Sequence, residues 1–185
     1  MNKQPVIPEN YKLAFPYDQI QKRLTELGRE ITDWAEKAQD RTGRPVLGVC
    51  ILRGGAPFFC DLVRRIPLSI ETNYCRTWSY SSGTNIQQKG IRISVEEVVA
   101  EGRAILLVDD ICDTGATLLK LNNVLLQLGA VEVRTAVLVH RIMGRSKYAP
   151  SWEAFSHRGD EWFVGYGMED RNQFSNLPEV YTITR

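Results

Sequence analysis

No apolar run in this chain approaches the length needed to cross a bilayer, and Met1–Asn10 is polar and broken by proline, without the apolar region of a signal peptide. Charge of one sign is missing too. Lys and Arg number 23 against 22 Asp and Glu, a net charge of +1, which gives no electrostatic footprint for nucleic acid or an anionic membrane. There is no Cys-x-x-Cys pair; Cys50, Cys60, Cys75 and Cys112 are scattered, three of them in apolar surroundings, and read as small core residues in a reducing compartment. Internal repeats, low-complexity tracts and a dividing linker are likewise absent. These gaps leave a soluble, cytoplasmic protein as the expectation. At 185 residues it is expected to form one domain, 1–185, large enough for a core without disulfides.

What the chain does have is concentrated in Ala104–Thr117, Ala-Ile-Leu-Leu-Val-Asp-Asp-Ile-Cys-Asp-Thr-Gly-Ala-Thr. Ala104–Val108 reads as a parallel strand buried on both faces. Asp109, Asp110 and Asp113 follow as an acidic turn, then Thr114-Gly115-Ala116-Thr117, then a helical pattern from Leu118 to Leu128. Backbone N–H groups of a helix's first turn, with the Thr114 and Thr117 hydroxyls, can hold a phosphate. Acids beside a phosphate need another task. Ribose hydroxyls, or a magnesium ion held through water, suit Asp109 and Asp110, which leaves Asp113 for proton work. The plainer reading is a capped strand-turn-helix with Gly115 serving the turn.

Around this stretch the pattern alternates strand and helix. Tyr17–Gln39 carries a helical stripe, Pro45–Leu52 a buried strand, and Ala56–Arg65 a helix after Arg53-Gly54-Gly55. Leu68–Tyr74, Val131–His140, Glu161–Tyr166 and Tyr181–Arg185 read as further strands. Thr77–Ile93 is long and polar, either a lid or an ordinary mobile hairpin. The order implies parallel pairing with right-handed crossovers.

The acidic strand end and its Thr-Gly-Ala-Thr loop resemble the phosphoribosyl-diphosphate signature of type I phosphoribosyltransferases. Leu52-Arg53-Gly54-Gly55 followed by Phe58-Phe59-Cys60-Asp61-Leu62 resembles the diphosphate loop of the hypoxanthine-guanine branch, with Arg for Lys. Trp162-Phe163-Val164-Gly165-Tyr166-Gly167-Met168-Glu169 and the later Asn176-Leu177-Pro178 resemble that branch's base-binding segment. The likeness runs from about residue 17 to the end, with motifs in the same order.

The resemblance implies an α/β fold with a mainly parallel central sheet flanked by helices. It adds a small base-binding hood, from the N-terminal region and about 140–185, and a flexible catalytic loop at about 77–93. It implies transfer of 5-phosphoribosyl from phosphoribosyl diphosphate to a 6-oxopurine base, hypoxanthine or guanine, with Mg2+, giving a nucleoside monophosphate in a salvage reaction. The 5′-phosphate would sit on Asp113, Thr114, Gly115, Ala116 and Thr117, and the ribose or metal on Asp109 and Asp110. Diphosphate would meet Arg53, Gly54, Gly55, Ser79 and Tyr80. Asp113 would be the acid/base near purine N7, and Trp162 and the Phe163 backbone would hold the purine, although core packing also accounts for Phe163 and Tyr166. Assembly as a homodimer or homotetramer is the family habit.

Four positions depart from the pattern. Where the family has a Lys facing the purine 6-oxo group, this chain has His140 and then Arg141. Glu169 stands for an Asp, as a purine and metal candidate with Asp109 and Asp110. Ser175 stands for a late Arg, with Arg171 nearby but out of register, and Ala116 for a frequent Lys. Transfer to another base, xanthine or a pyrimidine, is one alternative. A nucleotide-sensing RNA-binding regulator on the same fold is the other; the near-neutral charge gives it no support.

Overall fold

The apolar run at 104–108 continues as strand through the acids that follow it: β5 covers Ala104–Cys112, so Asp109 and Asp110 are strand residues rather than turn residues. Alternation along β5 sends its side chains to two different cores. Leu106 and Val108 pack with Ile20, Leu24, Phe58 and Phe59; Ile105 and Leu107 pack with Leu118, Leu121 and Leu125. Each such buried side chain contributes about 1.5–3 kcal/mol relative to exposure. The first core lies under α1 (Tyr17–Thr42) and α2 (Ala56–Val63), the second under α3 (Ala116–Gln127). This is a sheet with helices on both faces, as the alternating pattern predicts.

The computed structural model describes residues 5–81, 89–95, 97–142, 144, 146 and 148–184. Its main sheet holds β2 (Leu47–Leu52), β3 (Glu71–Ser81), β4 (Lys89–Ser94), β5, β6 (Glu132–Arg141) and β7 (Trp152–His157), in the order β4-β3-β2-β5-β6-β7. The pairs β2–β3, β2–β5, β5–β6 and β6–β7 are parallel; β4 alone is antiparallel, at the edge. From β2 the chain moves outward to β3 on one side, and from β5 outward to β6 and β7 on the other. The two strands therefore part at their carboxyl ends, the topological switch point where open α/β sheets bind ligands.

The structure sharpens the sequence reading at three points. Of the two readings of 77–93, the hairpin matches its arms: Thr77–Ser81 and Lys89–Ile93 pair as an antiparallel ribbon, and the expected loop tip at 82–88 lies outside the described residues. Trp152–His157 is a sixth strand of the main sheet, so the segment 140–157 belongs largely to that sheet and not to a separate hood. The smaller sheet is antiparallel, ordered β1-β9-β8 from β1 (Lys12–Phe15), β8 (Trp162–Val164) and β9 (Val180–Ile183). β1 leaves no alternating mark in the sequence: Lys12 and Leu13 are exposed and Ala14 and Phe15 half-buried.

The small sheet is pinned to the large one through aromatic rings. Phe15 stacks on Phe155 at 4.1 Å between centroids, and Phe163, Tyr166, Met168 and Val180 enter the α1–α2 core. After β8 the chain makes two mirror-image turns in succession. Gly165 and Met168 exchange backbone hydrogen bonds around Tyr166 (φ 49°) and Gly167 (φ 102°), and Asp170 and Gln173 do the same around Arg171 (φ 49°) and Asn172 (φ 63°). Positive φ at both central residues is the type I′ geometry that matches strand twist. Tyr166 tolerates it because its hydroxyl donates to Asp61 Oδ2 at 2.5 Å and its N–H to the Leu177 carbonyl. Among the described residues no helix is long and apolar enough to cross a membrane.

Candidate active site

Two cavities open side by side at the carboxyl ends of β2 and β5, and they share Gly54, Asp110, Ile111 and Asp113. The polar one, about 390 Å³, is bounded by Leu52, Thr77, Asp109 and the loop 112–118. The other, about 300 Å³, is walled by Arg53, Arg141, Trp162, Phe163, Gly167, Met168 and Glu169. The first is lined by carboxylates, threonines and the start of α3, the second by aromatic and apolar side chains with Arg53, Arg141 and Glu169.

In the polar cavity, α3 begins at Ala116 with Gly115 as its cap residue, so its first-turn N–H groups face the loop. Gly115 itself has no side chain to cap that helix end. Thr114 Oγ1 accepts from the Ala116 N–H at 3.4 Å. Gly115 packs so tightly on Tyr148 that an added Cβ would lie 2.6 Å from its Cβ. Gly54 comes even closer to the acids: a Cβ there would fall 1.9 Å from Asp110 Oδ2, so only glycine lets the β2–α2 turn reach this carboxylate. The Leu52–Arg53 peptide beside it is cis.

Asp109 Oδ1 accepts from the Asp110 N–H, and Asp110 Oδ1 from the Ile111 N–H, both at 2.9 Å. Neither makes a salt bridge to a described cation. Burial pushes both carboxyls above the ordinary carboxylate range, and the neighbouring Asp110 raises Asp109 further. A buried Asp109 and a half-buried Asp110 without a described cation fit a site completed by a ligand cation or by hydroxyl donors. Glu169, expected to join them around a metal, instead faces Arg53, whose Nη2 lies 3.4 Å from both of its carboxylate oxygens. Among the described residues no group of three or more His, Cys, Asp or Glu gathers as a metal site.

The second cavity settles which of the two residues at the end of β6 turns inward. Arg141 lines it; His140 does not. Adjacent strand residues point to opposite faces, and His140 Nδ1 is engaged by Glu153 Oε2 away from the cavity. His140, expected as a purine ligand, is thus not among the residues lining the cavity. Trp162 is 45% exposed, and its indole N–H donates 2.8 Å to the Glu169 carbonyl, which fixes the ring at the cavity wall. Phe163 is buried at the cavity wall, with the Arg141 guanidinium over its ring.

Ser79 and Tyr80 lie on β3, in register with Ile91 and Gly90; what their side chains do lies outside the described residues. Arg171 sits at the second mirror turn and borders a surface cleft with Tyr11 and Phe174, so it does not stand in for the missing late arginine at either cavity. Sequence reasoning overlooked Ile111, Gly167 and Met168. A longer β5 would have revealed Ile111 by alternation, and the glycine beside Tyr166 was a turn signal; Met168 gave none.

The match to the family model described as "Phosphoribosyl transferase domain" spans residues 17–171, from the start of α1 to the second mirror turn. The hypoxanthine-guanine phosphoribosyltransferase of Streptococcus thermophilus is 30% identical over 170 residues, which cover 91% of each chain. The bifunctional protein TilS/HprT of Listeria innocua is 31% identical over 169 residues, 91% of this chain but only 25% of that larger protein. The crystal structure of a hypoxanthine phosphoribosyltransferase from Staphylococcus aureus superposes with a TM-score of 0.80 at 25% identity, covering 94% of this chain and 91% of that one. With the matched segment running through both cavities and the switch-point loops between them, this chain belongs to the phosphoribosyltransferase family.

Proposed function

We propose that the protein transfers 5-phosphoribosyl from phosphoribosyl diphosphate to a 6-oxopurine base, hypoxanthine or guanine, in purine salvage. The observation that carries this is the pair of adjoining cavities sharing Gly54, Asp110 and Asp113, a polar cradle meeting an aromatic slot where a bond between sugar and base would form. The names of its relatives point the same way.

Loop 113–117 holds the 5′-phosphate on the first-turn N–H groups of α3 and the Thr114 and Thr117 hydroxyls. Asp109 and Asp110 bind the ribose hydroxyls or, through water, Mg2+, which supplies charge neutralisation for the departing diphosphate. Arg53 and the backbone of Gly54 and Gly55 take up that diphosphate as positive charge builds on the ribose ring. The base lies between Trp162 and the cavity wall, with the Phe163 backbone at its edge. Purine N9 bonds to C1′ as the C1′–oxygen bond to diphosphate breaks, and the N7 proton passes to Asp113, a role of the kind worth about 10²–10⁴-fold. Assembly as a homodimer or homotetramer belongs to the same proposal.

A base panel tests it. Protein, Mg2+ and phosphoribosyl diphosphate are mixed with hypoxanthine, guanine, xanthine, adenine or uracil, and diphosphate release is followed. Turnover with hypoxanthine or guanine is expected. Turnover confined to xanthine or uracil would shift the reading to another acceptor, and turnover with none would remove it.

A further inference from the structure

Arg141 is the most enclosed charge in the site. It is 7% exposed, and every nitrogen of its guanidinium is engaged. Nε donates to Asp113 Oδ1 at 2.5 Å, one terminal nitrogen donates to the Gly159 carbonyl, and the other donates to the Glu161 carbonyl at 2.9 Å. Its Cζ stands 5.0 Å above the centre of the Phe163 ring, within range of a cation–π contact. Asp113 is the reverse: its side chain is 51% exposed, it borders both cavities, and Arg141 takes only Oδ1. Oδ2 accepts no hydrogen bond among the described residues.

These contacts join three pieces of chain that sequence keeps apart: the loop after β5, the end of β6, and the segment leading into β8. A planar guanidinium bound on three edges has little freedom left, and it passes that stiffness to whatever it holds. With its nitrogens committed to Asp113 and two carbonyls, Arg141 is poorly placed to serve as the flexible donor to the purine 6-oxo group that a lysine would be. It is well placed to fix a carboxylate.

We propose that Arg141 is a positioning residue. It clamps Asp113 through Oδ1, so that Oδ2 is presented to the imidazole edge of the bound base. Because the same guanidinium holds Gly159 and Glu161, it sets that carboxylate in register with Trp162 and Phe163. The inference rests on the acid/base role given to Asp113 above and adds how that carboxylate is aimed. Effective proton transfer depends on such alignment, and misplacement by an ångström can cost about 10²-fold.

The test is a double-mutant cycle measured at saturating phosphoribosyl diphosphate with hypoxanthine and guanine. The variants are Arg141→Gln, Arg141→Lys, Asp113→Asn and the Arg141→Gln/Asp113→Asn double, each with its melting temperature and its dissociation constant for phosphoribosyl diphosphate. Arg141→Gln is expected to lower kcat by about tenfold or more, with phosphoribosyl diphosphate affinity held within about twofold. Arg141→Lys should recover part of the loss. In the Asp113→Asn background Arg141→Gln should cost almost nothing more, because its partner's function is already gone.

Equal losses in both backgrounds would make Arg141 a general support and overturn the proposal. So would a rise in base KM with kcat unchanged, which would make it a direct purine ligand. Should Arg141→Gln fail to fold, Arg141→Lys carries the cycle by the same criteria. Wild-type protein that turns over no base overturns the functional reading itself, and this inference with it; the other failures strike Arg141 alone.

Discussion

Gly167 and Gly54 touch backbone to backbone: a Cβ built on Gly167 would lie 2.1 Å from the Gly54 carbonyl oxygen and 2.9 Å from Pro57 Cδ. The turn that carries the aromatic slot is thereby seated on the turn that reaches the acids. The two cavities adjoin because two glycines permit it. Gly167→Ala must both leave a φ of 102° and push this contact apart. The backbone conformation alone costs about 1–3 kcal/mol for a residue with a side chain. A lower melting temperature is expected, with base KM raised about tenfold or more and phosphoribosyl diphosphate affinity little changed. Unaltered steady-state kinetics would refute the seating role.

Asp109 and Asp110 make the unliganded protein pay at neutral pH. Their carboxyls are raised by burial, so the folded state holds protons that the unfolded chain releases. Stability from this source is complete below the ordinary carboxylate range and is lost as pH climbs from there through the raised values. Asp109→Asn removes the ionisation. Its melting temperature should exceed wild type at about pH 8 and the gap should narrow toward about pH 5, while turnover falls. A variant less stable than wild type at the higher pH would contradict the linkage.

His140 lies off the slot, against Glu153. His140→Gln keeps a donor for that carboxylate and is expected to leave kcat/KM for hypoxanthine and guanine within about threefold, under 1 kcal/mol. A loss of about 10²-fold or more would return His140 to the purine.

Burial pushes the thiols of Cys50 and Cys75 up to about 12 and that of Cys112 up to about 11. At about pH 8 their thiolate fraction in the folded protein is on the order of one in a thousand or less. A disulfide reagent should therefore find only the half-buried Cys60 in native protein, and all four after denaturant. Rapid native labelling of Cys112 would show that the end of β5 opens readily.

Much of this site was readable from residue order because its parts are local. Asp109, Asp110 and loop 113–117 fall within one strand-helix unit, and the Gly54-Gly55 turn within another, so composition and spacing survive into geometry. The direction of a side chain at a strand end is different. Whether His140 or Arg141 faces the slot depends on the register of β6 against β5 and β7, which pairs Cys112 with His140 and Arg141 with His157. Polar Thr77–Ser81 likewise left lid and hairpin both open, because its pairing with Lys89–Ile93 rests on backbone bonds that leave no mark in hydropathy. Trp152–His157 was missed for a similar reason: its burial is mixed, with a single fully buried residue, Ala154.

The pairing of β1 with β9 places the earliest strand beside the latest, with the aromatic strand β8 on the other side of β9. A ribosome releases the chain from its amino end, so the loop after β5 can take shape within its own β-α-β unit well before the small sheet has its middle strand. The order of synthesis makes the small sheet, and with it the Trp162 wall of the second cavity, the last part of the fold to mature.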